Sequence, residues 1–432
     1  MPSAHDEPRI GWVIDGDEAT PHRSAMFVDD GESLVLTIPW SGREDAYAKW
    51  FSDDRPMPRT LWFRDTAGTL ALVGCRRMGS QIRWAGGGGL GAGRISIDYA
   101  VAGGRPGLDY QQVTAVRTRP PLLTAWTGLR NLTVGSTTDD LGMVQGVTAA
   151  VGSTGPVQVG GPFGLRVETG FTSSQSGLPV GEEHRVEMRQ WAEVVTSTTG
   201  LTDLSRHLDE HAMLRHLVAV AAWEPVGMDD LWVQRPDDRM RLRAGTEIDQ
   251  WRRAHTYVLQ QSAARAGRPS FLFHLADIGA DGLRRWVDFW DHFGRGLRPL
   301  VSLTDRAMFI ETQVLQAGAG LEAIGFRLAL DAGVGANAAD GESHCTRLKR
   351  VIADLPVGVI PDLDGWPKAS SDTYNAVKHA GREMPGVEDL VLQSRRDQLI
   401  FRTWVAARLG MDHTDLARRV ADDGLAAEVG FE

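Results

Sequence analysis

The spacing at which apolar residues recur changes once along this chain, near residue 200. That change limits the fold more than any single motif does. Before it, apolar side chains form short runs or alternate, as the two faces of a strand require. After it they return every three to four residues, on one stripe of a helix. One core seldom fills 432 residues, so a β-rich part followed by a helical part is the expected arrangement.

The expected strands are Ser33–Pro39, Thr60–Phe63, Thr69–Cys75, Arg94–Ala102 and Glu183–Val195. In the last of these Val186, Met188 and Gln190 alternate with Arg185, Glu187 and Arg189. Clusters of Gly, Asp and Ser separate the runs, so residues 1–200 are expected to form an antiparallel sandwich or barrel. Residues 201–245 read as a helical connector with a stripe through Leu204, Leu208 and Leu214 to Leu217. Its polar end, Asp229–Arg243, holds a proline and leaves room for one strand. Residues 246–432 read as an all-α bundle. Its helices are Asp249–Ala266, Gly282–Phe293, Asp305–Leu330, Glu342–Leu355, Lys368–Gly381, Val387–Leu409 and Thr414–Asp422. Gly318 and Gly320 predict a break or kink in the third. The fold class is therefore α+β.

No apolar run approaches the roughly 18 to 20 residues that span a bilayer. The opening MPSAHDEPRI lacks a basic then apolar leader, so a cytoplasmic protein away from membranes is expected. The two cysteines, Cys75 and Cys345, are too few for a thiolate metal site and read as ordinary reduced thiols. The net charge of -10 argues against a general nucleic-acid coat protein, though not against an enzyme with a local basic cleft.

Most motifs have a plainer reading beside the chemical one. Gly86, Gly88 and Gly91 fit a dinucleotide fingerprint, but Ile95 to Val101 just beyond them alternate like a strand, so a hairpin is expected and no cofactor. No phosphate-binding G-x-x-x-x-G-K-[ST] loop is present. His207, Glu210 and His211 have the spacing of a zinc helix. Leu204, Leu208 and Leu214 share their face and no third ligand is marked, so polar and packing roles are expected, and no metal. Trp286, Phe289, Trp290 and Phe293 form a stripe that reads as core. The basic runs Arg347–Arg350 and Arg395–Arg396 read as solvated helix faces.

The segment Asp372–Arg382 carries the most chemistry. Asn375, Lys378, His379 and Arg382 are spaced to share one face of a short helix. A histidine can take a proton from a ribose 2′-OH and return one to the leaving oxygen. Lysine and arginine can hold charge on the phosphoryl oxygens, and asparagine can orient phosphate or imidazole. Such a set cleaves RNA through a 2′,3′-cyclic phosphate without metal. Spacing alone fits a polar helix end, capped by Gly381, better still.

The segment and its surrounding helices resemble the HEPN superfamily, whose pattern is Arg-Asn-x-x-x-His followed by small residues. Asn375 and His379 fall on that Asn and His, with Ala380 and Gly381 after them. Val387–Leu409 resembles the helix that comes after the motif, and Glu311–Phe326 the early long helix. The first half is similar to ApeA-like abortive-infection proteins, above all in Pro121–Val134 (PLLTAWTGLRNLTV). The resemblance implies an anti-phage abortive-infection effector. Its helical domain would pair with a second copy and cleave host RNA, such as transfer RNA, after a phage-derived trigger. His379 would be the acid or base, Asn375 would orient, and Lys378 and Arg382 would hold phosphate. The family arginine is replaced by Tyr374, with Lys378, Arg382, Arg395, Arg396 or Arg402 as substitute cations. A degenerate, non-catalytic module that binds RNA or nucleotide is the alternative.

Overall fold

The computed structural model of the chain describes residues 8–42, 44–52, 54–85, 88–152, 154–176, 185–243, 245–257, 270–304 and 308–429. The first eight strands are β1 (Arg9–Ile14), β2 (Arg23–Asp29), β3 (Leu34–Ser41), β4 (Thr60–Asp65), β5 (Gly68–Val73), β6 (Arg76–Ala85), β7 (Gly88–Ile97) and β8 (Tyr99–Ala102). Next are β9 (Gln112–Arg119), the short helix α1 (Leu123–Thr127), and β10 (Leu132–Thr138) with β11 (Val144–Val151). Then come β12 (Val157–Gly160), β13 (Leu165–Ser176), β14 (Arg185–Asp203), helix α2 (Leu204–Ala222), β15 (Asp229–Arg241) and β16 (Glu247–His255).

Fourteen strands form one antiparallel ladder in the order β12-β13-β14-β9-β15-β16-β8-β5-β4-β1-β2-β3-β7-β6, and β10 pairs with β11 alone. Strands β7 and β8 are joined by a single residue, Asp98, yet β5, β4, β1, β2 and β3 lie between them in the ladder. The sheet must curl to bring those ends together. Val13, Phe27, Leu36, Phe63, Leu72 and Ile95, from six of these strands, accordingly meet in one buried cluster. The expected single strand Arg94–Ala102 is thus two strands, bent at Asp98.

Helix α2 lies across β9 and β14. Its first turns, with Leu204 and Leu208, close a small core over Tyr110, Val113 and Val116. Its later turns, Met213 to Ala222, join the core of the C-terminal helices. These are α3 (Leu275–Ser302, kinked at Gly279), α4 (Ile310–Asp331), α5 (Ala336–Asp340), α6 (His344–Ala353), α7 (Trp366–Lys378), α8 (Val387–Arg408), α9 (His413–Ala421) and α10 (Gly424–Val429). Val159, Leu165, Val167, Ala192 and Val194 of the sheet lie in that same core, and two buried indoles tie its helices and the segment before α3. Trp126 Nε1 donates to the Phe273 carbonyl (3.0 Å) and Trp286 Nε1 to the Met213 carbonyl (2.9 Å).

Two expectations are corrected. Asp249–Ala266 is not a helix, because Glu247–His255 is strand β16 and residues 258–269 lie outside the described ones. It is held to β15 by backbone pairing and by Arg239 facing Asp249 (3.4 Å) and Glu247 (3.9 Å), so the sheet runs on to His255. Helix α4 passes through Gly318 and Gly320 without a break. There the missing side chains allow close approach. A Cβ on Gly320 would stand 2.5 Å from Leu300 and 2.8 Å from the Gly296 carbonyl of α3. Among the described residues no helix is long and apolar enough to cross a membrane.

Candidate functional site

Helix α7 is fastened at its start and released at its end. Pro367, in its first turn, needs no hydrogen-bond donor there. Trp366 Nε1 and Ser370 Oγ donate to the buried Asp397 carboxyl of α8 (2.8 and 3.1 Å), as does Gln393 Nε2 (2.8 Å). No cation faces this carboxyl among its bonded partners, and burial pushes its pKa up to about 6. One turn on, Tyr374 is buried and stacks on His344, with ring centroids 4.5 Å apart and planes 14° apart. A Cβ on Gly318 would meet the same ring at 2.2 Å. His344 Nε2 donates to the Gly318 carbonyl (3.1 Å), and burial lowers the imidazole pKa.

The four residues expected to share a helical face do not all lie on the helix. Asn375 is half-buried, and its amide donates to the Ser371 carbonyl of its own helix (2.8 Å). Lys378 is the last helical residue, its ammonium 5.1 Å from the Tyr374 ring centroid. His379 is already extended, at φ -116° and ψ 110°, while its N–H still donates to the Asn375 carbonyl (3.0 Å). Arg382 lies in the next turn, its N–H on the His379 carbonyl (3.0 Å). Lys378, His379 and Arg382 are all exposed. Among the described residues no ion pair engages them, and no side-chain hydrogen bond joins the four to one another.

The cations proposed as substitutes on α8 point elsewhere. Arg395 pairs with Glu428 (2.9 Å), and Arg396 donates to the Val429 carbonyl (3.4 Å). Arg402 is buried, donating to Asp423 (2.9 and 3.0 Å) and to the Val220 and Ala221 carbonyls at the end of α2 (3.0 and 2.9 Å). The basic run of α6 is only partly a solvated face. Arg347 is buried on Glu322 (2.6 Å) and on the Ala339 and Asp340 carbonyls.

The other motifs take their plainer roles. His207 and His211 are fully buried, and Thr196 Oγ1 bridges them at 2.8 Å from His207 Nδ1 and 2.9 Å from His211 Nε2. Thr118 Oγ1 lies 2.7 Å from His211 Nδ1. Burial pushes the two imidazoles down to about 4 and about 3. Among the described residues no group of His, Cys, Asp and Glu could hold a metal. The glycine run is strand β7, where a Cβ on Gly91 or Gly93 would strike Trp40 or Phe51, and Gly86 lies outside the described residues. Trp286, Phe289 and Phe293 are core, and the buried Cys75 thiol is pushed up to about 12.

One feature had no linear signal. A groove of about 560 Å³ between α3, α4 and α6 is lined by His292, Arg295, Arg327 and Arg347 beside Glu322 and Asp340. Its residues come from four helices, so no motif could mark it, and its acids offset much of its positive charge.

No curated protein and no solved structure matches the chain. Residues 15–286 match the family model described as ApeA N-terminal domain 1. The match takes in strands β2–β16, helices α1 and α2 and the start of α3, while β1 and helices α4–α10 lie outside it. It spans more than half of the chain, which therefore belongs to the ApeA family of anti-phage abortive-infection proteins.

Proposed function

We propose that the chain is a cytoplasmic abortive-infection effector whose helical part is a HEPN module acting on RNA at the end of α7. The observation that carries this reading is the exposed trio Lys378, His379 and Arg382, unclaimed by any carboxylate among the described residues. Two cations flank an imidazole there, as phosphodiester cleavage through a 2′,3′-cyclic phosphate needs. His379 moves the proton, Lys378 and Arg382 hold the phosphate, and Asn375 orients the group beside them. A second copy of the chain would bring a second α7 end to the same cleft, and the sheet half would receive a phage-derived trigger. No metal or cofactor takes part.

A second reading is favoured by Tyr374. The position of the family arginine is occupied by a buried ring, and the Asn375 amide is tied to its own helix. A module so altered binds RNA or nucleotide without cutting it.

One experiment separates the readings. Wild type and His379→Ala are expressed during phage infection, with plaque counts, total RNA on a denaturing gel, and RNA affinity of the purified chains. The nuclease reading expects fragments ending in 2′,3′-cyclic phosphate, lost with protection in His379→Ala. The binding reading expects intact RNA, with affinity lost in Lys378→Ala and Arg382→Ala and kept in His379→Ala. Intact RNA together with no measurable affinity in the wild type defeats both.

A further inference from the structure

The hairpin of β10 and β11 stands apart from the fourteen-stranded ladder as a two-stranded ribbon. It is rooted at its base, where the Gln190 side-chain oxygen accepts the N–H groups of Asn131 (3.0 Å) and Leu132 (2.8 Å). Its tip is ordered by Asp139, whose carboxylate accepts the N–H groups of Leu141 (3.0 Å) and Met143 (2.8 Å). The register pairs Leu132 with Val151, Val134 with Ala149, and Ser136 with Val147, so these point to one side. The other side carries Thr133, Gly135, Thr137, Gly146, Thr148 and Ala150.

The apolar side is uncovered. Val134 and Val147 are each 67% exposed, and Leu141 at the tip is 88% exposed. The outer edges of both strands also lack a ladder partner among the described residues. Edges of this kind are usually guarded by lysine, proline or an inward charge, and neither strand contains any of these.

The occupant follows from charge and area. From residue 131 to residue 165 there is no Lys, Arg or His, while Asp139 and Asp140 crown the tip. Phosphate backbones are repelled by such a surface. One face of seven residues by two strands covers roughly 230 Å², against about 800 Å² per partner for a stable interface. Two copies meeting face to face would not hold. An added strand gains main-chain hydrogen bonds as well as side-chain contacts, and so needs less area.

We propose that this ribbon is a docking arm for an extended segment of another protein. That segment adds a strand to the free edge, sets alternate apolar side chains on Val134, Val147 and Ala149, and brings a lysine or arginine to Asp140. The inference deepens the effector reading, since it gives the sheet half a place to receive its partner.

The test uses the full chain with photoreactive benzoylphenylalanine in place of Ala149, irradiated in infected and uninfected cells, with adducts mapped by mass spectrometry. The expected result is an adduct with a segment of another protein that alternates apolar residues and carries a basic one. It falls at least tenfold in the Val134→Ser, Val147→Ser double variant and in Asp140→Lys, with melting temperatures unchanged. The same probe at Thr148, on the opposite side, gives no adduct. An adduct with RNA or with a second copy overturns the proposal, as does no adduct or one undiminished by the substitutions. Plaque protection by the wild type is read in the same cells. Its absence beside a specific adduct sinks the effector reading and leaves the arm standing.

Discussion

Tyr374 lies flat on His344, ring centroids 4.5 Å apart and planes 14° apart. The pocket around it is shaped for a ring, with Gly318 supplying the floor and His344 fixed by the Gly318 carbonyl. An arginine in this place would find a ring-shaped slot and no carboxylate on the residues that line it.

Placing an arginine there is expected to harm the fold and not to create a nuclease. Tyr374→Arg would bury a guanidinium without a carboxylate and should cost about 3 kcal/mol or more in urea unfolding. Tyr374→Phe keeps the stack and should cost less than about 1 kcal/mol. Equal stability of the arginine variant and the wild type would show that the pocket is not closed around the ring.

The paired histidines of α2 set an acid limit on stability. Their ordinary value of 6.5 is lowered to about 4 in His207 and about 3 in His211, because burial disfavours the imidazolium. The unfolded chain then takes up protons first, so their contribution is whole above about pH 6.5 and is lost as pH falls. Between pH 6.5 and 5 the loss is on the order of 2 kcal/mol for each. Urea titrations across that range should show this slope, and His211→Gln should flatten it. Added zinc should leave the melting temperature where it was.

Asp397 works in the opposite direction. Its pKa is raised from 3.8 to about 6 by burial, so it favours folding below pH 4 and loses that contribution as pH rises through 6. At pH 8 a buried carboxylate holds Trp366 and Ser370 at an electrostatic cost. Asp397→Asn keeps an acceptor for Trp366 and should stabilise the chain by about 2 kcal/mol at pH 8, with little change at pH 4. Unfolding measured at both values decides it, since a cost at pH 8 would mean that the charge itself holds α7.

The helices were legible because their apolar stripes are long, as in Val387–Arg408 and in α2, which carries the expected stripe through Leu204, Leu208 and Leu214 to Leu217. Strand β16 was misread because Glu247–His255 is mostly polar, and its pairing with β15 and β8 is made through the backbone, which leaves no mark in the sequence. Gly318 and Gly320 looked like breakers because a sequence cannot show that Tyr374 and Leu300 come to rest on them. At the site, spacing put His379 on a helix. The helix ends one residue earlier, and that changes which side chains share a face. The isolation of β10 and β11 had no signal, since an exposed alternating ribbon and a buried strand read alike.

Arg402 ties the end of α2, in the family-matched part, to α8 and to Asp423 after α9, and its removal should loosen the end of α2. It is buried with Asp423, and its remaining donors reach the Val220 and Ala221 carbonyls at the end of α2, where Ala221 also accepts the Leu272 N–H (2.9 Å). Arg402→Ala leaves the Asp423 carboxylate without its cation and the Val220 carbonyl without its donor in the core, and should cost about 3 to 5 kcal/mol. Because the carboxylate left alone causes much of that loss, adding Asp423→Leu to Arg402→Met should recover a large part of it. Hydrogen exchange should then separate the two ties. Amides near the end of α2 should exchange faster in both variants, since both lack the donors to Val220 and Ala221, while the start of α7, held by Asp397, should stay protected. Faster exchange at α7 as well would mean that α8 transmits the loss from one half to the other.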